Sequence, residues 1–184
     1  RASPTRQQMK GFEMIIRQRT PADDAEIYDV VKRAFAGMEQ ASGDEQNLVG
    51  RLRKTGGYVP ELELVAEDGG RIVGHVMLTT LEIAKTPQLI LAPLAVAPER
   101  QNRGIGGALI KSGHSAAKKA GFGFSVLVGH PAYYPKFGYR PAALFGLQCA
   151  MEIPPECFMV CDLQNSGARL DAELVFPPVF FEQG

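Results

Sequence analysis

Apolar residues recur along this chain with two different periods, and the changes of period mark out its elements. Met14 to Arg19 has the pattern of a first strand, and Thr20-Pro21-Ala22-Asp23 follows with a capping hydroxyl, a proline suited to the first helical position and an acid for the first turn. Ile27, Val30, Val31, Ala34 and Phe35 then fall at i, i+3, i+4, i+7 and i+8, the stripe of a helix buried on one face, with Gly37 placed to end it. A shorter helix, about Asp44 to Lys54, carries Leu48, Val49 and Leu52 before Gly56-Gly57.

Strand patterns resume at Leu62 to Glu67 and Arg71 to Leu81, and Asp68-Gly69-Gly70 between them is the chemistry of a hairpin turn. Leu89 to Ala97 supplies the next strand. Gly104 to Ala120 is helical, with Ile105, Ala108, Leu109, Ser112 and Ala116 on one face and Gly121 as the stop. Phe124 to Val128 lacks polar alternation, which predicts a strand covered on both faces. Two more strands are expected around Leu147 to Glu152 and near the end. The order β-α-α-β-β-β-α-β-α-β-β predicts one mixed sheet covered by helices, an α/β or α+β domain with a single central strand–loop–helix unit.

Residues 1–13 (Arg1 to Glu13) show no periodicity and are set aside as a remnant foreign to the domain, which leaves 14–184 as one unit. The 184 residues suffice for one hydrophobic core. Twenty basic against twenty acidic side chains give no broad charge footprint for nucleic acid. The longest apolar stretch, Leu89 to Pro98, is about half of the ~20 residues needed to cross a bilayer. Neither nucleic acid nor membrane is expected as a partner. Cys149, Cys157 and Cys161, odd in number and without a second pair, read as small buried apolar residues of a reduced, cytoplasmic protein and not as a metal site.

The candidate chemistry lies at the strand–loop–helix unit. Val96 to Leu109 runs through Arg100-Gln101-Asn102-Arg103-Gly104-Ile105-Gly106-Gly107 into a helix start, whose unpaired N–H groups and partial positive charge suit phosphate oxygens. Two common phosphate motifs are excluded: Leu109 stands where the dinucleotide fingerprint has its third glycine, and no Gly-Lys-Ser/Thr follows. What remains, Gln101-x-x-Gly104-x-Gly106 after Leu94-Ala95-Val96, resembles the acetyl-CoA motif of the GNAT superfamily of N-acetyltransferases. Tyr134-Pro135-Lys136-Phe137-Gly138-Tyr139 resembles that family's second motif, Y-x-x-x-G-F/Y. Together with Leu91-Ala92-Pro93-Leu94, these runs are similar to the small bacterial YhbS-like branch, over about residues 14 to 180.

The resemblance implies a GNAT-like acyl-CoA N-acyltransferase fold, with a central mixed, mostly antiparallel sheet flanked by helices, and a strand that bulges at Pro93 and splays from its neighbour. It implies acetyl-CoA as cosubstrate, no metal, and transfer of the acetyl group to a primary amine by direct attack. Leu94, Ala95 and Val96 would lie along the pantetheine arm, with an N–H near Leu94 on the thioester carbonyl. Arg103, Gly104, Ile105, Gly106 and Gly107 would face the pyrophosphate, with Gln101 and Asn102 shaping the loop. Tyr134 matches the acid that protonates the leaving thiolate, and Tyr133 is its packing neighbour.

The base is less defined. Leu89 to Val96 carries no acid; Glu45 stands where the YhbS-like pattern has one, while Glu82 and His75 lie on the preceding strand. Gly129-His130-Pro131 departs from the usual Gly-Asp-Pro, leaving His130 as a turn residue or a proton relay. Glu39, Asp44 and Glu45 suit a cationic acceptor, either a small-molecule amine or a protein amino group. A homodimer is in keeping with the family. The competing reading is a non-catalytic acyl-CoA-binding or regulatory module that keeps the fold and loop without a base.

Overall fold

The computed structural model describes residues 5–9, 12–38 and 41–183. Among the described residues there are ten strands: β1 (Thr5–Met9), β2 (Phe12–Gln18), β3 (Tyr58–Asp68), β4 (Arg71–Ile83), β5 (Thr86–Val96), β6 (Phe124–Val128), β7 (Arg140–Pro141), β8 (Leu147–Cys149), β9 (Phe158–Asp162) and β10 (Ala172–Leu174). The helices are α1 (Asp24–Phe35), α2 (Glu45–Leu52) and α3 (Ile105–Lys119). Eight strands form one sheet in the order β1-β2-β3-β4-β5-β6-β9-β7, antiparallel except for the β5–β6 pair, and β8 pairs with β10 alone. This is the mixed, mostly antiparallel sheet that the element order and the resemblance imply.

Local chemistry accounts for the early elements. The Asp23 carboxylate reaches back to the Thr20 N–H at 2.7 Å and is held by Arg17 through two 2.8 Å bonds, so the turn at Pro21–Asp23 is tied to β2 before α1 begins. Hydrogen bonds from Arg17 lower the Asp23 carboxyl to about 2 against the cost of burial. Gly69 and Gly70, both at positive φ, turn the chain between β3 and β4 with Asp68 opposite Arg71.

The sheet is buried on both sides. Ile27, Val30 and Val31 of α1 and Val49 and Leu52 of α2 cover one face together with Val65, Met77 and Ala95. On the other face α3 packs Ile105, Leu109 and Ala117 against Leu62, Leu64, Val76 and Leu78. The α3 stripe passes through Gly113 and Ala117 instead of the expected Ser112 and Ala116. An added methyl at Gly113 would meet Leu78 Cδ1 at 2.9 Å, so the helix lies close to the sheet there.

Four expectations are corrected. Thr5–Met9 pairs with β2, so part of the segment set aside joins the sheet as an edge strand. No α-helix follows β6: Pro131, Pro135 and Gly138 crowd the segment, and it forms only a 3-10 turn at Tyr134–Phe137. The strands do not all join one sheet: Leu147–Cys149 pairs with β10 in a small second sheet. Of the three cysteines only Cys161 is buried, and Cys149 and Cys157 are half-buried. Among the described residues, no helix is long and apolar enough to cross a membrane and no group of three His, Cys, Asp or Glu is placed to hold a metal.

Candidate active site

The Pro93 bulge is visible in the register of β4 and β5. Val76 pairs with Leu94 and Leu78 with Leu91, so Ala92 and Pro93 together oppose the single residue Met77. On its other side β5 pairs with β6 only at Leu89–Ser125 and Ile90–Val126, and the two strands part beyond Ile90. The Ala97 N–H bonds to Val73 O on the β4 side. Alternation along a strand therefore turns the backbone groups of Leu94 and Val96 the other way, into the gap. The Val96 carbonyl on that side accepts from Gln101 Nε2 at 3.1 Å. Ala95 is corrected as a lining residue: its backbone faces β4 opposite His75, and its methyl lies in the core under α1 and α2.

The loop after β5 delivers α3 to the mouth of this gap. Gln101 fastens the loop to Val96, Arg100 pairs with Asp68 at 2.6 Å, and Asn102 takes a positive φ of 59°. Gly104, at φ 85°, occupies the N-cap in the left-handed region, where a side chain would be strained. The first intrahelical bond runs from the Ala108 N–H to Gly104 O. The N–H groups of Ile105, Gly106 and Gly107 thus sit in the first turn, where a helix has no acceptor of its own for them. Arg103 precedes them on the same loop.

An aromatic wall closes the far side. The Tyr133 ring stands edge-on to Tyr134 and Phe137, with centroids at 5.1 and 5.3 Å, and Lys136 Nζ lies 4.1 Å from the Tyr133 centroid. A methyl at Gly106 would fall 2.5 Å from the Tyr133 hydroxyl, and one at Gly129 would overlap the Tyr134 ring. These two glycines let the tyrosines pack directly on α3 and on the end of β6. Burial, with Tyr133 adding, raises the Tyr134 phenol above its usual value, so it stays protonated through the neutral range and serves as a donor.

The candidate bases separate. Glu45 Oε1 accepts from the Ser42 N–H at 2.6 Å and the Ser42 hydroxyl at 3.0 Å, which ties the start of α2 to the turn before it, while Oε2 is buried with no hydrogen-bond partner among the described residues. Glu39 lies outside the described residues, and Asp44 is held by Arg51 at 2.7 Å. Glu82 is exposed toward the far hairpin, opposite Pro87. His130 Nδ1 accepts from the Ala132 N–H at 3.2 Å, a local turn contact.

His75 belongs to a cluster that the sequence reading missed. Its Nε2 lies 2.9 Å from Glu63 Oε1, and both side chains are fully buried. Arg53 bonds both Glu63 oxygens, and the Tyr58 hydroxyl donates to Oε2 at 2.7 Å. Burial raises the Glu63 carboxyl, but the bonds from His75 and Arg53 prevail and hold it at about 2. Burial lowers His75 despite Glu63, so the imidazole is neutral and its Nε2–H donates to the carboxylate. The available signal was a pair of titratable residues, Glu63 and His75, inside runs otherwise apolar enough to be buried.

The acetyltransferase (GNAT) domain family matches residues 15–142 of this chain. The chain is 36% identical over 161 residues to the uncharacterized N-acetyltransferase YjhQ of Escherichia coli K12, covering 83% of this chain and 86% of that protein. It is 31% identical over 157 residues to the uncharacterized N-acetyltransferase YhbS of the same strain, covering 84% and 90%. A crystal structure of E. coli YhbS in complex with CoA superposes with a TM-score of 0.84 at 25% identity over 97% of both chains. A Brucella melitensis GNAT family acetyltransferase in complex with acetyl-CoA gives 0.76 at 28% identity, over 91% of this chain and 97% of that one.

Proposed function

Because the chain belongs to the GNAT family of acetyltransferases, we propose that it transfers the acetyl group of acetyl-CoA to a primary amine by direct attack, without a covalent enzyme intermediate. The observation that carries this reading is the parting of β5 from β6, which leaves the Leu94 and Val96 backbone facing a gap beside the first turn of α3. The relatives crystallised with CoA and acetyl-CoA support it.

Acetyl-CoA supplies a thioester: the amine nitrogen bonds to its carbonyl carbon, the C–S bond breaks, the amine loses a proton and the sulfur gains one. The Val96 backbone offers the pantetheine amides the pairing that β6 does not, and the first-turn N–H groups of Ile105, Gly106 and Gly107, with Arg103 beside them, offer donors to the pyrophosphate. The Leu94 N–H donates to the thioester carbonyl oxygen as charge builds there, a fixed dipole worth a few kcal/mol (~3). Tyr134 donates its proton toward the sulfur. Glu45 Oε2, with no hydrogen-bond partner among the described residues, suits the ammonium of the acceptor and takes up the proton. The acceptor is a small-molecule amine or a protein amino group.

Acetyl-CoA binding by calorimetry, followed by thiol release across a panel of amines, tests the reading. Binding with turnover supports it; binding without turnover on any amine favours a non-catalytic acyl-CoA module; no binding by folded protein overturns both. Tyr134→Phe is expected to lower the rate of thiol release about 100-fold while acetyl-CoA affinity stays within about threefold, as removal of a proton donor does. A matched loss of affinity would make Tyr134 a packing residue.

A further inference from the structure

A cleft of about 590 Å³ lies apart from the gap between β5 and β6. It lies at the opposite end of β6, where Phe124 pairs with Asp162, and is bounded by the second half of α3, Phe137 to Arg140, the turn at Ala142–Phe145 and the loop after β9. Its origin is in the sequence: prolines and Gly138 limit the segment after β6 to one short turn, so the flank of α3 that carries His114 and Lys118 is left uncovered.

We propose that this cleft binds a small organic anion, a site separate from the acetyl-transfer gap and independent of that assignment. Lys118, Arg140 and Arg169 line it, in a chain whose net charge is zero. Arg169 is pre-set by Asp171, with bonds of 2.9 Å from Nε and 2.7 Å from Nη2, and Nη1 reaches Leu144 O at 3.4 Å. Asp171 offsets the Arg169 charge and Asp162, in the lining, offsets another, so the three cations leave the cleft one positive charge in excess. The Arg140 guanidinium is stacked on the Phe145 ring at 5.4 Å, which holds its plane.

The one carboxylate in the lining, Asp162, is occupied by its own loop, accepting from the Gly167 N–H at 2.8 Å, the Gln164 N–H at 3.2 Å and the Ser166 hydroxyl at 3.2 Å. Burial, with the Lys118 ammonium adding, lowers His114 to about 4, so its neutral ring bonds the Tyr139 hydroxyl at 3.0 Å. Burial pushes the Cys161 thiol up to about 11 and keeps it protonated. Three cations against the loop-bound Asp162, a floor of neutral His114, protonated Cys161 and the Phe137 ring, and a volume within the ~300–1,000 Å³ of small-molecule sites together fit a compact anion and not a long acyl chain.

Citrate and glycerol 3-phosphate serve as the carboxylate and phosphate-ester probes, titrated calorimetrically into the full chain at low salt with glycerol as the neutral control. At least one charged probe should bind with a submillimolar Kd, stronger than about 4 kcal/mol. Lys118→Glu and Arg140→Glu, both at exposed positions, should each weaken it at least tenfold, while Gly104→Glu at the start of α3 leaves it unchanged. Preference for one probe identifies the anionic group; equal binding assigns the site to shared charge. Absence of binding by both probes, indifference to the two cleft variants, or loss on Gly104→Glu would overturn the proposal.

Discussion

Gly104→Glu is expected to abolish acetyl-CoA binding in a protein that still folds. Gly104 caps α3 at φ 85°, a conformation that costs a side chain about 1–2 kcal/mol, which an ordinary domain stability of about 5–15 kcal/mol absorbs. The new carboxylate would stand before the first-turn N–H groups, where the pyrophosphate is proposed to sit. Two like charges at about 5.5 Å in an effective dielectric of about 20 repel by about 3 kcal/mol, a factor of more than 100 in affinity. Gly104→Asn separates charge from backbone, since asparagine tolerates the left-handed region. Its affinity is expected within about fivefold of the parent. Calorimetry on both variants, with circular dichroism to confirm the fold, decides the matter: near-parental binding by the Glu variant would move acetyl-CoA off this loop.

The elements around this loop were legible because their signals are local. The turn at Asp68-Gly69-Gly70, the Gly-rich start of α3 and the Pro93 interruption each announce themselves within a few residues, and the turn, the bulge and the exposed first turn stand where those signals put them, whereas the parting of β5 from β6 was implied only by the resemblance. Ala95 went wrong because the run Leu94-Ala95-Val96 was taken as a block, whereas a strand presents alternate residues to its two neighbours. The helix that the element order placed after β6 fails because Pro131, Pro135 and Gly138 leave room only for the 3-10 turn at Tyr134–Phe137. The cleft and the Glu63 cluster were out of reach for another reason. Arg53, Tyr58, Glu63 and His75 come from α2's end and two paired strands, and only the register of β3 on β4 brings them together.

That cluster yields the largest stability effect expected in the molecule. Glu63→Leu removes the acceptor shared by Arg53, Tyr58 and His75 and leaves buried donors facing an alkyl group, a loss of about 3–5 kcal/mol. Glu63→Gln keeps one acceptor oxygen but removes the charge that Arg53 faces and is expected to cost about 1.5–3 kcal/mol. Urea unfolding at pH 7 should show both as lower midpoints with unchanged slope. The acid limb gives an independent reading. Glu63, held at about 2 in the fold against 4.5 for an ordinary Glu, contributes stability that is complete above about pH 5 and is lost as pH falls through about 2. His114, lowered to about 4 from 6.5, adds a loss that starts earlier, as the unfolded chain takes up a proton below about pH 7 and the folded chain resists it down to about 4. Glu63→Leu should therefore flatten the stability curve between about pH 5 and 2, where Asp23 still contributes, while a loss between about 7 and 5 persists, carried by His114 and by the buried His75, which burial lowers further once Glu63 no longer raises it. An unaltered lower limb would mean that the Glu63 carboxyl titrates alike in both states and that Arg53 does not hold its charge.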